Sequence, residues 1–372
     1  MTEELDRRGF LRLGAAGTAG LALAGTGGLS AFLAACGSSS KSSSSATTAA
    51  GGSATTAKAN LGTLDYQLSW IKNDEFSGEY LADTRRYYIQ EGFSNVNLIS
   101  GGPNVQQDSV VASGKAFVGI SSPDITSPAI LQGADLITVG AQYQKNPFCI
   151  MSLATKPIHN PQEMIGKKIG VQSTNESAWR TFLKANNIDP SKINEVPVQF
   201  DPTPLTTGTV DGWFSFITNE PIELKLKGFS TTTFLLADYN YPEAGNAYIA
   251  TTDSLKSNRA KVKAAMVGDI LGWKETLTNP SEAATLAVQK GQGLTMQAEL
   301  LQAYAQAVLI VTPDSQANGL FYLTPSFQSA NLATLKLGGA TVTASQLFDM
   351  SLLDEIYKDP AMKAVPTPVL SG

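Results

Sequence analysis

Histidine and cysteine are nearly absent from this chain of 372 residues: His159 is the single histidine, and Cys36 and Cys149 are the two cysteines. That count excludes a histidine-based catalytic triad and a multi-histidine metal site, and it all but removes a Cys/His zinc cluster. No disulfide framework can form either, so an exported form of the chain has to rely on a large buried core. After Arg12 there is no run of lysine or arginine, and the net charge is -5. A mildly acidic chain without a basic stripe excludes nucleic acid as a partner, and excludes an electrostatic membrane-binding face.

What the chain does have is a distinctive N-terminus. Arg7-Arg8-Gly9-Phe10-Leu11-Arg12 opens a stretch of Ala, Gly and Leu that ends at Leu33-Ala34-Ala35-Cys36-Gly37. The arginine pair resembles a twin-arginine export motif, and the last five residues resemble a bacterial lipoprotein cleavage site. Together they imply an export signal over 1–35 and a lipid on Cys36. The chain is then anchored at the extracytoplasmic face of the cell membrane. The alternative is an uncleaved anchor with a chance cysteine. Residues 36–59 are almost all Ser, Ala, Thr and Gly, which cannot bury apolar surface and read as a flexible tether. Outside the cytoplasm there is no nucleotide pool, which favours solute capture over metabolism.

From Asn60 onward, short apolar runs alternate with helical patterns. The runs are Tyr66–Trp70, Val96–Ile99, Phe117–Ile120, Leu136–Val139 and Lys168–Val171. This alternation predicts an α/β fold with mostly parallel sheets. Helices are expected over Glu79–Gln90, Asn104–Ser113, Glu176–Asn186, Asn258–Leu277, Ser281–Gln289 (capped by Ser281) and Thr295–Val308. The middle of the chain carries its own strand-helix-strand set, which predicts two lobes: 60–145 with 247–372, and 146–246. Ligands of open α/β sheets sit beyond the carboxyl ends of the strands, which points to Asn73-Asp74-Glu75-Phe76 and Ser121-Ser122-Pro123-Asp124.

The segment Trp70-Ile71-Lys72-Asn73-Asp74-Glu75-Phe76-Ser77-Gly78-Glu79-Tyr80-Leu81-Ala82 is followed by Gly166-Lys167-Lys168-Ile169-Gly170-Val171 and Gly208-Thr209-Val210-Asp211-Gly212. Thr218-Asn219-Glu220-Pro221, Gly272-Trp273 and Asn279-Pro280-Ser281-Glu282 complete the series. In this order and spacing the motifs resemble the thiamine-pyrimidine-precursor binding family, related to the nitrate, sulfonate and taurine binding proteins of ABC importers. The resemblance implies a type II periplasmic-binding-protein fold: two α/β lobes joined by two crossover strands, with a ligand cleft between them. It also implies a monomer that binds a small-molecule solute and hands it to an ABC permease, with no cofactor and no catalysis. Asn219-Glu220-Pro221 corresponds to a segment that marks pyrimidine and flavin binders. The family's stacking tyrosine four residues before the glutamate is Phe216 here.

Each candidate has a structural alternative. Glu220 either accepts hydrogen bonds from an aminopyrimidine edge or is an exposed loop acid before proline. Phe216 and Trp213 alternate across an ideal strand, so only one can stack on a ligand, and Phe216 is preferred. Trp70 forms a cleft wall or packs under the next helix; Asn73 binds solute or shapes a turn. Glu75 and Phe76 line the same wall, unless Glu75 is a first-turn helix charge. Asp124 has the same ambiguity. Asn175 lies at a helix start able to hold an anion, or simply caps it. Tyr143 falls at an expected crossover. Cys149 reads as a buried apolar residue. The competing functions are a riboflavin binder, a sulfonate, taurine or nitrate binder, and a sensor without transport. The iron-linked pyrimidine synthase that shares this fold draws on histidine and a cysteine-rich motif, which this chain lacks.

Overall fold

The computed structural model describes residues 58–371; the expected leader, Cys36 and nearly all of the tether lie outside the described residues. Two five-stranded sheets organise the rest. The first holds β1 (Gly62–Gln67), β2 (Phe93–Ile99), β3 (Val118–Ser121), β4 (Ile137–Tyr143) and β10 (Gly245–Ala250) in the order β2-β1-β3-β10-β4. The second holds β5 (Phe148–Leu153), β6 (Lys168–Gln172), β7 (Asn194–Val198), β8 (Gly212–Phe216) and β9 (Thr231–Leu235) in the order β7-β6-β8-β5-β9.

The chain passes between the sheets twice, from β4 into β5 through residues 144–147 and from β9 back into β10 through 236–244. These passages explain a departure from the expected parallel pattern. A parallel neighbour needs a connection of about a dozen residues that carries the chain back to the start of the sheet. Residues 144–147 are too few, so β5 starts at the cleft and runs antiparallel to β8 and β9. The returning β10 likewise runs antiparallel to β3 and β4. All residues of β3, β4 and β10 are buried, as strands covered on both faces must be.

Several boundaries differ from expectation for local reasons. β1 stops at Gln67, so Trp70 stands in the following bend, where its carbonyl accepts from Gly101 N at 2.9 Å. The single helix expected over Glu79–Gln90 is two, Ser77–Thr84 and Tyr87–Gln90, interrupted by Arg86 at φ 63°. The expected Asn104–Ser113 helix shortens to Gln107–Ala112. Arg259–Thr278, by contrast, matches the expected Asn258–Leu277 to within one residue at each end. Ser281 is no cap: Pro280 is the first residue of its helix and Asn279 precedes it.

Helices Ser77–Thr84 and Arg259–Thr278 cross closely at two glycines; a Cβ on Gly272 would lie 2.0 Å from the Gly78 carbonyl oxygen. Their contact buries Glu79, which accepts from Tyr248 Oη and Trp273 Nε1, each at 3.2 Å. The second lobe packs Trp179, Phe182, Phe214 and Tyr241 around Ile150 and Ile169. Helix Pro325–Gly338 touches the second lobe's helix Glu176–Ala185. Its Asn331 accepts from Ala244 N at 2.9 Å, fastening the returning passage. Among the described residues, no helix is long and apolar enough to cross a membrane.

Candidate functional site

A cleft of about 630 Å³, counting space open to solvent, lies between the two sheets. The first lobe supplies Ser69, Trp70, Glu75, Gln107, Ser121 and, from β10, which begins two residues before the expected boundary at 247, Asn246; the second supplies Phe148, Gln172, Asn175, Phe216, Asn219 and Glu220. Ser121, Gln172 and Phe216 are the last residues of β3, β6 and β8, while Phe148 and Gly245 begin the antiparallel β5 and β10. All five strand ends therefore open on one crevice, where ligands of open α/β sheets sit.

Glu220 is placed by a tight turn. β8 ends at Phe216, whose carbonyl accepts from Asn219 N at 3.0 Å, and helix Glu220–Leu226 begins at once with Pro221 in its first turn. The side chain folds back, so Oε2 accepts from Ser215 Oγ at 2.6 Å and Phe216 N at 3.2 Å. Among the described residues no hydrogen bond engages Oε1. Burial pushes the carboxyl up to about 7, while the hydrogen bonds from Ser215 and the backbone hold it down.

Glu75 reaches the cleft from the other lobe. Asn73 accepts from Glu75 N at 3.0 Å and so fixes the short turn Asp74–Phe76. Glu75 Oε1 accepts from Asn246 Nδ2 at 3.0 Å and Ser69 Oγ at 3.4 Å. Burial raises this carboxyl to about 7 as well; Asn246 and Asn219 lower it, and the charge of Glu220 raises it. Each lobe thus brings one buried acid to a shared space, and the charge of Glu220 is felt at Glu75. No lysine, arginine or histidine among the described residues lines the cleft.

Aromatic rings form the remaining wall. Phe216 lies edge-on to Phe148 with ring centroids 4.8 Å apart, and Phe148 is tilted against Phe214 at the same separation. Phe216 and Trp70 keep part of their surface exposed, whereas Trp213 is fully buried in the second lobe. The strand alternation that favoured Phe216 over Trp213 therefore holds in the geometry.

Of the ten candidate residues, six line the cleft: Trp70, Glu75, Asn175, Phe216, Asn219 and Glu220. Four do not, which corrects the expectation for them. Asn73 is spent on the Glu75 cap. Phe76 is fully buried in the first lobe's core. Tyr143 is fully buried and donates to Gln306 Oε1 at 3.0 Å. Asp124 is buried and its carboxylate accepts from Ser122 Oγ at 2.5 Å.

Gln107, Phe148, Gln172 and Asn246 were not singled out from sequence, whereas Thr174 belongs with Asn175 to the helix start weighed as an anion site or a cap. Gly245-Asn246 after a proline-containing passage is a turn signal that could have flagged Asn246. Nothing distinguishes Gln107 in sequence. The hydroxyl of Thr174 is buried in the wall without a hydrogen-bond partner among the described residues. No group of His, Cys, Asp or Glu among the described residues is arranged to hold a metal.

Comparison with known proteins agrees with this architecture. The family model described as NMT1/THI5 like matches residues 73–283. The riboflavin-binding protein RibY of Chloroflexus aurantiacus is 25% identical over 239 residues, which is 63% of this chain and 68% of that protein. Among solved structures, the alkanesulfonate-binding protein SsuA of Xanthomonas axonopodis pv. citri bound to MOPS superposes with a TM-score of 0.58 at 16% identity, covering 80% of this chain and 98% of that one. The nitrate-binding protein NrtA of Synechocystis PCC 6803 gives 0.61 at 12% identity, covering 82% and 92%. The CA3427 product of Candida albicans, described as having the generic periplasmic binding protein fold, gives 0.54 at 12% identity, covering 84% and 98%. With that fold and a family match running from Asn73 through the Glu220 turn to Ala283, the chain belongs to the NMT1/THI5-like family.

Proposed function

We propose that this protein is the solute-binding component of an ABC importer, closing its lobes over a small planar nitrogenous heterocycle. A thiamine pyrimidine precursor is the first candidate and a flavin the second. The observation that carries this reading is the composition of the cleft wall: two buried acids from opposite lobes, partly exposed Trp70 and Phe216, and no basic side chain among the described residues. A flat ring fits between aromatic faces, each such pairing adding about 0.5–1.5 kcal/mol beyond area burial. Donor groups on its edge meet the carboxyls, a charge-assisted bond contributing about 1.5–3 kcal/mol net.

An anion fares worse. Where a cleft carboxyl is ionised, above about pH 7, an anion at roughly 4 Å and an effective dielectric of about 20 is repelled by about 4 kcal/mol. The sulfonate-binding and nitrate-binding proteins share the fold with this chain at identities too low to carry their ligands over to it. The relative whose name states riboflavin binding supports the flavin alternative. Lipidation of Cys36 would hold the protein beside its permease at the extracytoplasmic face, with more than one acyl chain needed for stable anchoring. In this reading it acts as a monomer and performs no chemistry on the solute.

The test is a thermal-shift screen of the purified protein against aminopyrimidines, riboflavin, sulfonates and nitrate. A ligand at 100 times its dissociation constant adds about 2.7 kcal/mol of stability. A shift with heterocycles is expected. A shift with the anions alone overturns the proposal.

A further inference from the structure

We propose that Gln107 is the specificity-determining residue of the cleft, its side-chain amide pairing bidentately with an adjacent donor and acceptor on the ligand's edge. Such an edge is an exocyclic amine beside a ring nitrogen, or a lactam N–H beside its carbonyl. The inference rests on the heterocycle reading above and narrows it.

Several polar groups of the cleft are already committed within the protein, although Thr174 Oγ1 and Glu220 Oε1 are not among them. Gln172 donates to the Phe214 carbonyl at 3.0 Å and accepts from Asn175 at 2.9 Å. Asn246 donates to Glu75 and Gln142. Ser121 donates to Asp108, and Ser122 to Asp124. Gln107 is only 4% exposed and lines the cleft, yet its amide has no hydrogen-bond partner among the described residues. A nearly buried amide without a protein partner is unfavourable, which a matching ligand relieves.

The mount is rigid. Gln107 opens helix Gln107–Ala112, whose next residue, Asp108, is held by Ser121 at the end of β3. One turn on, Val111 is fully buried; a Cβ on Gly119 of β3 would lie 2.8 Å from its side chain, so helix and strand touch there. A fixed amide offers one acceptor and two donors in a plane, the pattern by which glutamine reads an amine next to a ring nitrogen. A site built around such a pair rejects analogues that lack one half of it, because its own polar group is then stranded.

The test uses calorimetry on the whole chain with two pairs of probes: 4-amino-5-hydroxymethyl-2-methylpyrimidine against its deamino analogue, and riboflavin against N3-methylriboflavin. For whichever parent binds, wild type should prefer it over its blocked analogue by about tenfold or more. In Gln107→Leu the preference should shrink to within about threefold, while Glu220→Gln should weaken the parent. Wild type that binds parent and analogue alike overturns the inference without any variant, as does a folded Gln107→Leu that keeps the wild-type ratio. If Glu220→Gln nonetheless loses affinity, the heterocycle reading survives and only the role of Gln107 falls. If wild type binds neither parent, both fall together.

Discussion

Asn246, at the start of the strand that returns from the second lobe, donates its side-chain amide to Glu75 at 3.0 Å. The acid that one lobe offers to the cleft is thus held by a residue at the mouth of the returning passage. The same amide donates to Gln142 at 3.1 Å, and Asn246 adopts φ 48°, a left-handed conformation that asparagine tolerates and most residues resist. Asn246→Gly should therefore keep the backbone and lose only the amide, weakening ligand binding by about 1–3 kcal/mol. Asn246→Ala should add backbone strain and melt at a lower temperature than the glycine variant. Calorimetry and thermal melts of both variants check this; wild-type affinity in Asn246→Gly would remove the residue from the site.

Glu220→Gln and Phe216→Ala test the second lobe's half of the cleft. Each should weaken heterocycle binding by about 1–3 kcal/mol while the fold persists, because Phe216 is at the cleft surface and glutamine can still accept from Ser215 and the Phe216 amide. Circular dichroism should be unchanged. Unaltered affinity in both would contradict the proposed function.

Stability of the ligand-free protein should fall as pH rises from about 5 to 8. Burial raises Glu75 and Glu220 from 4.5 to about 7, and pushes Glu79 and Glu299 the same way. Between those values the folded chain keeps protons that the unfolded chain has released. The stabilisation is complete below the unfolded value and is lost as pH climbs through about 7, with about 1.4 kcal/mol for each unit of separation. Asp108 and Asp124, raised to about 6, add to the same slope. Melting curves across this range should show it, and Glu220→Gln should flatten it; a melting temperature that climbs from pH 5 to pH 8 would refute the account.

Much of this was legible before any coordinates. Period-two alternation separated Phe216 from Trp213, and the placement of strand ends located Glu75, Ser121 and Glu220 near one crevice. The antiparallel runs of β5 and β10 were not legible, because direction is set by how few residues link β4 to β5, and strand limits two or three residues off hide that. Asp124 and Tyr143 read as cleft residues because a strand end gives position along the sheet but not which way a side chain turns. Gln107 was invisible for the opposite reason: its importance lies in lacking a partner, and a lack of contacts cannot be read from a residue type.

Among the described glycines the closest tolerance is at Gly272, within the Gly272-Trp273 pair that also carried the family resemblance. A methyl group there would sit 2.0 Å from the Gly78 carbonyl oxygen and 2.9 Å from the Ala82 side chain, so the two helices would have to separate. Separation would also strip Glu79 of the hydrogen bond from the neighbouring Trp273, leaving a buried acid short of a partner. Gly272→Ala should therefore destabilise the protein by more than about 2 kcal/mol, well beyond the roughly 0.5–1 kcal/mol that alanine normally gains over glycine in a helix. Because these helices carry the turn that presents Glu75, the variant should also bind ligand more weakly at temperatures where it remains folded. Chemical denaturation gives the first quantity and calorimetry the second. A variant as stable as wild type would mean that the helices can part freely, and that the glycine pair is not what fixes the Glu75 wall.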